Sequence, residues 1–440
     1  MEKKIIVAGL GHGGIAAAAL IAKQGYDVTV YEKKSEGTLG YDWTDIFAPK
    51  ALETAGMKMP PESKYEYKQD MTFFNPSQTK SLQQHVPQDQ LEIKMERRDI
   101  YEHLINHALE CGVKIVYDCQ VNAPIVLGNR VVGIKTDKGD VYADLIIDAC
   151  GMDSPVRCNL PDSFGLEKEV EDGNKIYIYR GFFDVASDER VDAKFKVMLF
   201  PDGIKGISWV ASDEDHTDLL IGRFEKFDMD EVERFGDYLR QTNPRLGKKL
   251  VRSGQFVEIP VRQPSAIMIA NGYVSIGDSA FMTVPLIGSG IANSLKAARI
   301  LSDTVATDKD GAFSAETLWK YQCGYYKSLG SSLAPLACIK LMLLTLTPQE
   351  IDDVFEKDIL TDDLITMGAD FTGIGDVMSF DIKDLLNKAK QVCTEPELLK
   401  KLAICGVRIA KVSTACATMP QKWNEGMVKA WKKVYDRAFK

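Results

Sequence analysis

Histidine is scarce in this sequence, with five residues in 440 positions, and their order makes no ligand motif. His103 and His107 stand four apart on an expected helix, but the residues between them lack the Glu of H-E-x-x-H. No C-x-x-C pair occurs among nine cysteines (Cys111, Cys119, Cys150, Cys158, Cys323, Cys338, Cys393, Cys405 and Cys416). That odd, scattered set argues against a disulfide framework and against standard zinc or iron–sulfur spacing. The expectation is reduced thiols in a cytoplasmic protein and no metal. Basic excess is also missing: 54 Lys and Arg against 63 Asp and Glu give a net charge of -9, so no nucleic-acid partner is expected. No apolar run is long enough to span a bilayer. The best attempt, within Leu329 to Pro348, is broken by Pro335 and Lys340. It reads as a buried core helix, as the wall of an apolar substrate pocket, or as a surface in peripheral contact with a membrane. What remains is an ordinary globular composition, 45% hydrophobic and 27% charged, with length for two or three domains.

The first 32 residues carry the strongest local pattern. Ile5 to Ala8 is a short continuous apolar run, as a buried parallel strand requires. Gly9-Leu10-Gly11-His12-Gly13-Gly14 follows and satisfies G-x-G-x-x-G through Gly9, Gly11 and Gly14. Ile15 to Gln24 reads as a helix that stops at Gly25, and Asp27 to Tyr31 as a second strand with Glu32 at its end. In such a unit the first glycine makes the tight turn. The second lets backbone approach a pyrophosphate, and the third lets helix and strand pack closely. The helix N-terminus supplies free N–H groups, and Glu32 can accept both ribose hydroxyls. Lys3-Lys4 before an apolar run also has the charge pattern of a secretory signal. The four glycines, His12 and the regular strand that follows argue for folded structure instead.

Further along, residues 35–95 read as loops and short helices with a strand or two. Arg97 to Cys111 reads as a helix burying Ile100, Leu104 and Ala108. Val113 to Tyr117, two short strands within Asn122 to Thr136, and the buried run Tyr142 to Gly151 follow. Residues 175–225 form several strand-like segments, which predicts a mainly antiparallel sheet inserted into an α/β domain. Met229 to Gln241 is an amphipathic helix. Gly272 to Asp278 is a strand with a terminal acid, Gly288-Ser289-Gly290 opens a helix, and from about Phe313 the reading is helical.

Three separated motifs now coincide: the N-terminal βαβ unit with Glu32, the run Asp148 to Arg157, and Gly277-Asp278-Ser279-Ala280 with Pro285-Leu286-Ile287-Gly288-Ser289-Gly290-Ile291. Together they resemble the FAD-dependent oxidoreductases of the p-hydroxybenzoate hydroxylase fold, and within them the geranylgeranyl reductase family. The resemblance spans residues 1–330. It implies a Rossmann-like FAD-binding domain (1–170 and 263–330), an inserted mainly antiparallel β-sheet substrate domain (171–262) and a helical C-terminal region (331–440). Residues 50–95 are open to joining the substrate domain.

Asp278 at a strand end can accept a hydrogen bond from a ribityl hydroxyl. Gly288 and Gly290, with Ile291 opening the helix, can offer N–H groups and a helix dipole to the flavin N1–C2=O edge. Pro285 would set the loop beside the ring. By resemblance Arg97 meets the FAD diphosphate, with Arg98 a register alternative. Gly13 and Lys33 complete the expected cofactor set.

The departures concern donor and substrate. Cys150-Gly151 stands where related hydroxylases carry Asp-Gly, so the electron donor is left open between NAD(P)H and a ferredoxin-like protein. The Y-x-W-x-F-P motif of prenyl reductases is reduced to Trp209 within Gly206 to Ala211. The C-G pair after the second strand is missing, with Tyr41-Asp42-Trp43 nearby. Asp42, Trp43 and Trp209 are the substrate-side candidates, and no catalytic acid is identified. The implied reaction moves hydride from reduced flavin to a carbon–carbon double bond of an apolar or prenyl-lipid-like substrate, or the reverse. The alternatives are an aromatic hydroxylase using NAD(P)H and oxygen, and a non-catalytic lipid carrier like the GDP-dissociation inhibitors.

Overall fold

The computed structural model of the chain describes residues 3–369 and 395–440, so Cys393 lies outside the described residues. The first strand, Lys4–Ala8, buries Ile5, Ile6, Val7 and Ala8 without polar alternation, as a strand covered on both faces must. It pairs in parallel with Asp27–Tyr31 on one side and with Leu145–Asp148 on the other. Lys114–Val116 extends the sheet on one flank, Tyr273–Ser275 on the other, and Ile269–Ala270 ends it as a short antiparallel partner. The chain leaves the first strand toward one side and returns on the other. The carboxyl end of Lys4–Ala8 is therefore a topological switch point, where open α/β sheets form a ligand crevice.

The helices His12–Ala22 and Ile291–Val305 pack on each other against this sheet, and Arg97–Glu110 buries Ile100, Leu104 and Ala108 as its periodicity predicts. Val121–Leu127, Arg130–Thr136 and Gly139–Tyr142 form a small meander.

A seven-stranded sheet forms the second layer, in the order Leu246–Pro260, Lys175–Val185, Thr217–Arg223, Gly206–Ser212, Phe195–Leu199, Thr72–Phe74, Ser81–Gln83. All its pairs are antiparallel except Phe195–Leu199 with Thr72–Phe74. One face packs Tyr179, Phe183, Leu219 and Ile221 under the helix Met229–Arg240, whose start is fixed by a reciprocal Asp228–Glu231 capping box.

Two features differ from the sequence reading. Residues 35–95 hold five strands, Thr44–Phe47, Tyr65–Tyr67, Thr72–Phe74, Ser81–Gln83 and Ile93–Glu96. Each has only three or four residues and owes its conformation to distant partners, such as Thr72 opposite Lys196. The edge strand Leu246–Pro260 has 15 residues, yet its register shifts against Lys175–Val185 and its Lys248, Lys249, Arg252, Ser253 and Gly254 hide any alternation.

The rest is helical: Ala315–Tyr325, a π turn at Tyr326–Gly330, Ser331–Leu343, Pro348–Glu356, Asp362–Ala369, Pro396–Ala417 and Glu425–Arg437. Leu333, Ala334, Leu336 and Cys338 of the apolar run are buried in the main core, so its first half is a core helix, while Leu341 to Leu344 are half-buried. Among the described residues no single helix is long and apolar enough to cross a membrane.

Candidate functional site

A cavity of about 510 Å³ opens at the switch point, within the usual size of a small-molecule site. Its floor is the glycine turn. Gly9 has φ +82°, and a Cβ there would stand 2.7 Å from the Ala149 carbonyl oxygen. A Cβ on Gly14 would lie 2.4 Å from the Ala149 Cβ, so only glycine lets the helix seat this close to the strand end. Gly11 also faces the Ala149 carbonyl, and Gly13 admits the helix Ile291–Val305 through Ser294.

The helix His12–Ala22 starts at Gly11 with no side-chain cap, and Ile291–Val305 starts at Gly290 with none either. Two helix N-termini with free N–H groups thus line one cavity, together with Gly288 and Ile291. Glu32 is buried at the end of the second strand. One of its oxygens accepts from Leu10 N at 2.8 Å and the other from Lys34 N at 2.9 Å. Each oxygen keeps a lone pair for a further donor. Lys33, beside it, is exposed on the rim.

Arg97 lines the cavity and Arg98 is exposed. The Arg97 guanidinium makes a bidentate pair with Asp45 (2.5 and 2.7 Å) and lies over the Tyr41 and Trp43 rings (4.8 and 5.4 Å). Burial alone would raise the Asp45 pKa, but the Arg97 pair outweighs it and holds the carboxyl below its ordinary value. His12 stacks on Tyr101 with ring centroids 4.6 Å apart. Burial, then the Arg97 charge, push its pKa down to about 3, so it is neutral at physiological pH.

Asp278 falls in the turn Gly277–Ala280, just after the strand, and accepts from Thr283 Oγ1 at 2.6 Å. Burial raises its pKa, opposed by that hydrogen bond and by Arg97. A Cβ on Gly290 would meet Thr283 Oγ1 at 3.0 Å and Asp278 Oδ1 at 3.6 Å, which keeps the helix start against this acid. Pro285 is buried and off the cavity wall. It opens a loop closed by Val284 N to Ser289 O (2.8 Å) and Gly288 N to Val284 O (3.0 Å).

Cys150 lines the cavity, but burial and then the Asp148 carboxylate push its thiol well above the ordinary range, against thiolate chemistry. The residue that organises this corner is Asp148, to which the sequence assigned no role. It is fully buried and accepts from Cys150 N, Ser279 Oγ, Ser154 Oγ and Tyr273 Oη at 2.6–3.1 Å.

Two uncapped helix N-termini, a buried acid at the second strand and a second acid beside a glycine helix start fit the phosphates, ribose and ribityl chain of FAD. No protein-family model matches the sequence. The digeranylgeranylglycerophospholipid reductase of Haloferax volcanii is 25% identical over 374 residues, covering 80% of this chain and 88% of that one. Its counterpart from Sulfolobus acidocaldarius is 20% identical, covering 99% and 97%. A geranylgeranyl bacteriochlorophyll reductase-like structure from Thermoplasma acidophilum superposes with TM-score 0.73 at 19% identity, covering 92% of this chain and 99% of that one. A Pseudomonas aeruginosa structure described as a probable FAD-dependent monooxygenase reaches 0.60 at 15% identity, covering 81% and 100%.

The chain has the p-hydroxybenzoate hydroxylase fold and is similar in sequence to digeranylgeranylglycerophospholipid reductases.

The three substrate-side candidates are placed differently. Trp43 is buried on the cavity wall and packs on the apolar face of the large sheet with Ile176, Ile178, Phe182, Leu220 and Val257. Trp209 does not line the cavity. It sits on that same sheet face, and the Arg180 guanidinium bridges the two indoles, 5.4 Å from Trp43 and 5.3 Å from Trp209. Asp42 is exposed and off the wall. It ties its loop to the edge strand through Ser253 N (3.0 Å) and Gln255 Oε1 (3.1 Å). Arg180 went unnoticed in the sequence because nothing in Lys175 to Val185 distinguishes it from a solvated strand arginine.

Proposed function

We propose that this protein binds FAD in the switch-point cavity and transfers hydride between reduced flavin and a carbon–carbon double bond of an apolar, prenyl-lipid-like substrate. The observation that carries the reading is convergence: Gly9, Gly11, Gly14, Glu32, Arg97, Cys150-Gly151, Asp278, Gly288, Gly290 and Ile291 meet around one cavity. Bound FAD supplies the hydride chemistry. Glu32 accepts the ribose hydroxyls, the helix starts at His12 and Ile291 hold negative charge, and Arg97 adds a fixed cation. Asp278 accepts from the ribityl chain. Trp43 and Ile259, backed by the packed cluster of Ile178, Phe182 and Leu220, give the cavity an apolar side for the substrate. The names of the curated relatives support a prenyl lipid; the apolar wall agrees with it.

The donor, NAD(P)H or a ferredoxin-like protein, is separable in one experiment. The purified protein is expected to show an oxidised-flavin absorption band that dithionite bleaches anaerobically. Bleaching by NADPH as well would identify the donor despite Cys150. The reduced protein mixed with geranylgeraniol is then expected to yield a product heavier by one hydrogen molecule per double bond reduced. A protein with no flavin after reconstitution sinks the reading. NADPH- and oxygen-dependent hydroxylation of an aromatic acid moves it to the hydroxylases.

A further inference from the structure

The chain carries a charge asymmetry that the switch-point site does not use. Residues 396–440 hold ten Lys and Arg against three Asp and Glu, a net +7, which leaves -16 on the other 395 residues. All of these basic residues but Lys440 belong to the helices Pro396–Ala417 and Glu425–Arg437 and the turn between them. Trp431 Nε1 donates to Ala415 O at 2.7 Å, and Arg408 donates to Lys440 O at 2.9 Å. The two contacts run in opposite directions along the helices, so the pair is antiparallel, and each helix keeps an outer, exposed side.

The inner face of each helix is spoken for. Leu398, Leu402, Cys405, Ile409 and Val412 are buried on the first, and Val428, Trp431 and Tyr435 on the second. The outer face is not simply polar. Ile404 and Val407 are 45% and 55% exposed, and Met427 and Val434 are 59% and 56% exposed. Lys400 and Lys411 flank Ile404 and Val407 at helical spacing, and Lys433 and Arg437 flank Val434, all of them exposed. Aliphatic side chains set among cations, on helices lying flat, match the boundary of an anionic bilayer: cations meet headgroups while the aliphatics enter the acyl edge. A nucleic acid would use the cations and leave the aliphatics in water.

We propose that this outer face docks the protein peripherally on an anionic lipid surface. The remaining -16 would be repelled by the same surface, which favours approach through this face. The proposal does not rest on the flavin reading, because lipid binding is measured without turnover.

The test is flotation of the full-length protein with vesicles of phosphatidylcholine alone or of phosphatidylcholine with phosphatidylglycerol. Binding is expected only to the second, and to weaken with salt. Lys411→Glu with Lys433→Glu and Arg437→Glu should lower the vesicle affinity about tenfold or more. Val407→Ser with Val434→Ser should leave binding at low salt but abolish what survives at high salt. Both variants replace exposed side chains, and an unchanged thermal transition verifies that each is folded. No binding to anionic vesicles, binding unchanged by charge reversal, or equal affinity for a duplex oligonucleotide would overturn the proposal.

Discussion

His12 shows how a single side chain in the glycine turn is tuned by its surroundings. It sits at a helix start, stacked on Tyr101, and its burial, then the Arg97 charge, disfavour a second proton on the ring, with Asp45 opposing. Its folded pKa near 3 lies below the ordinary 6.5, so the sign of the pH effect is fixed. Above the ordinary value the ring is neutral in both states and pH has no leverage. As pH falls from there toward 3, the unfolded chain binds a proton that the folded chain refuses. Stability then drops by up to about 1.4 kcal/mol per pH unit for this group. His12→Gln should flatten that acid limb by one proton while leaving stability at neutral pH close to wild type. Urea unfolding across the window measures it, and parallel slopes in the two proteins would count against a neutral, buried His12.

At the scale of elements, the cavity wall depends on a buried ion pair that joins three strands. Arg180 on Lys175–Val185 donates to Asp218 on Thr217–Arg223 through Nε (2.9 Å) and Nη2 (2.6 Å). It also donates to the Thr44 carbonyl (2.5 Å) and hydroxyl (2.7 Å), which pins Trp43 against the sheet. Both charges are almost fully buried, so removing one partner is costly where replacing both is not. Asp218→Ala should destabilise by about 3–5 kcal/mol, and Arg180→Met with Asp218→Leu should recover most of that. The double variant should still lose substrate turnover, because Thr44 is released and Trp43 is no longer held. Equal destabilisation of single and double variants would show that the pair is not the strand clamp.

This element also marks where the sequence stops being informative. The glycine turn, Glu32 and the helix start at Gly290 are local patterns whose spacing carries their geometry, so their place was legible. Asp148 and Arg180 act through partners more than a hundred and about forty residues away, Tyr273 and Asp218, which no spacing rule connects. The short strands between residues 44 and 96 fail for the same reason, being made by pairing and not by their own propensity.

Across the whole molecule, one hydrophobic core runs from Ile5 in the first strand to Ala438 after the last helix. Its C-terminal part is aromatic: Trp431 packs on Tyr326, Tyr435 and Trp319. The polar ends of that cluster are aimed at the segment that leads back into the parallel sheet. Tyr435 Oη donates to Pro264 O at 3.1 Å, and Tyr326 Oη to Ser265 O at 2.9 Å. Ser265 N in turn donates to Ala280 O at 3.1 Å, within the turn that carries Asp278. The C-terminal helices therefore brace the Asp278 turn through a chain of contacts, without lining the cavity. Trp431→Ala should cost about 3–5 kcal/mol, as truncation of a buried aromatic does. If the core is continuous, flavin release and loss of tertiary structure should fall together to the same lower temperature, because the last helix shares its core with the parallel sheet. A variant that loses its C-terminal transition while flavin release stays at the wild-type temperature would divide the molecule into two bodies. The proposed bracing of Asp278 would then fail with it.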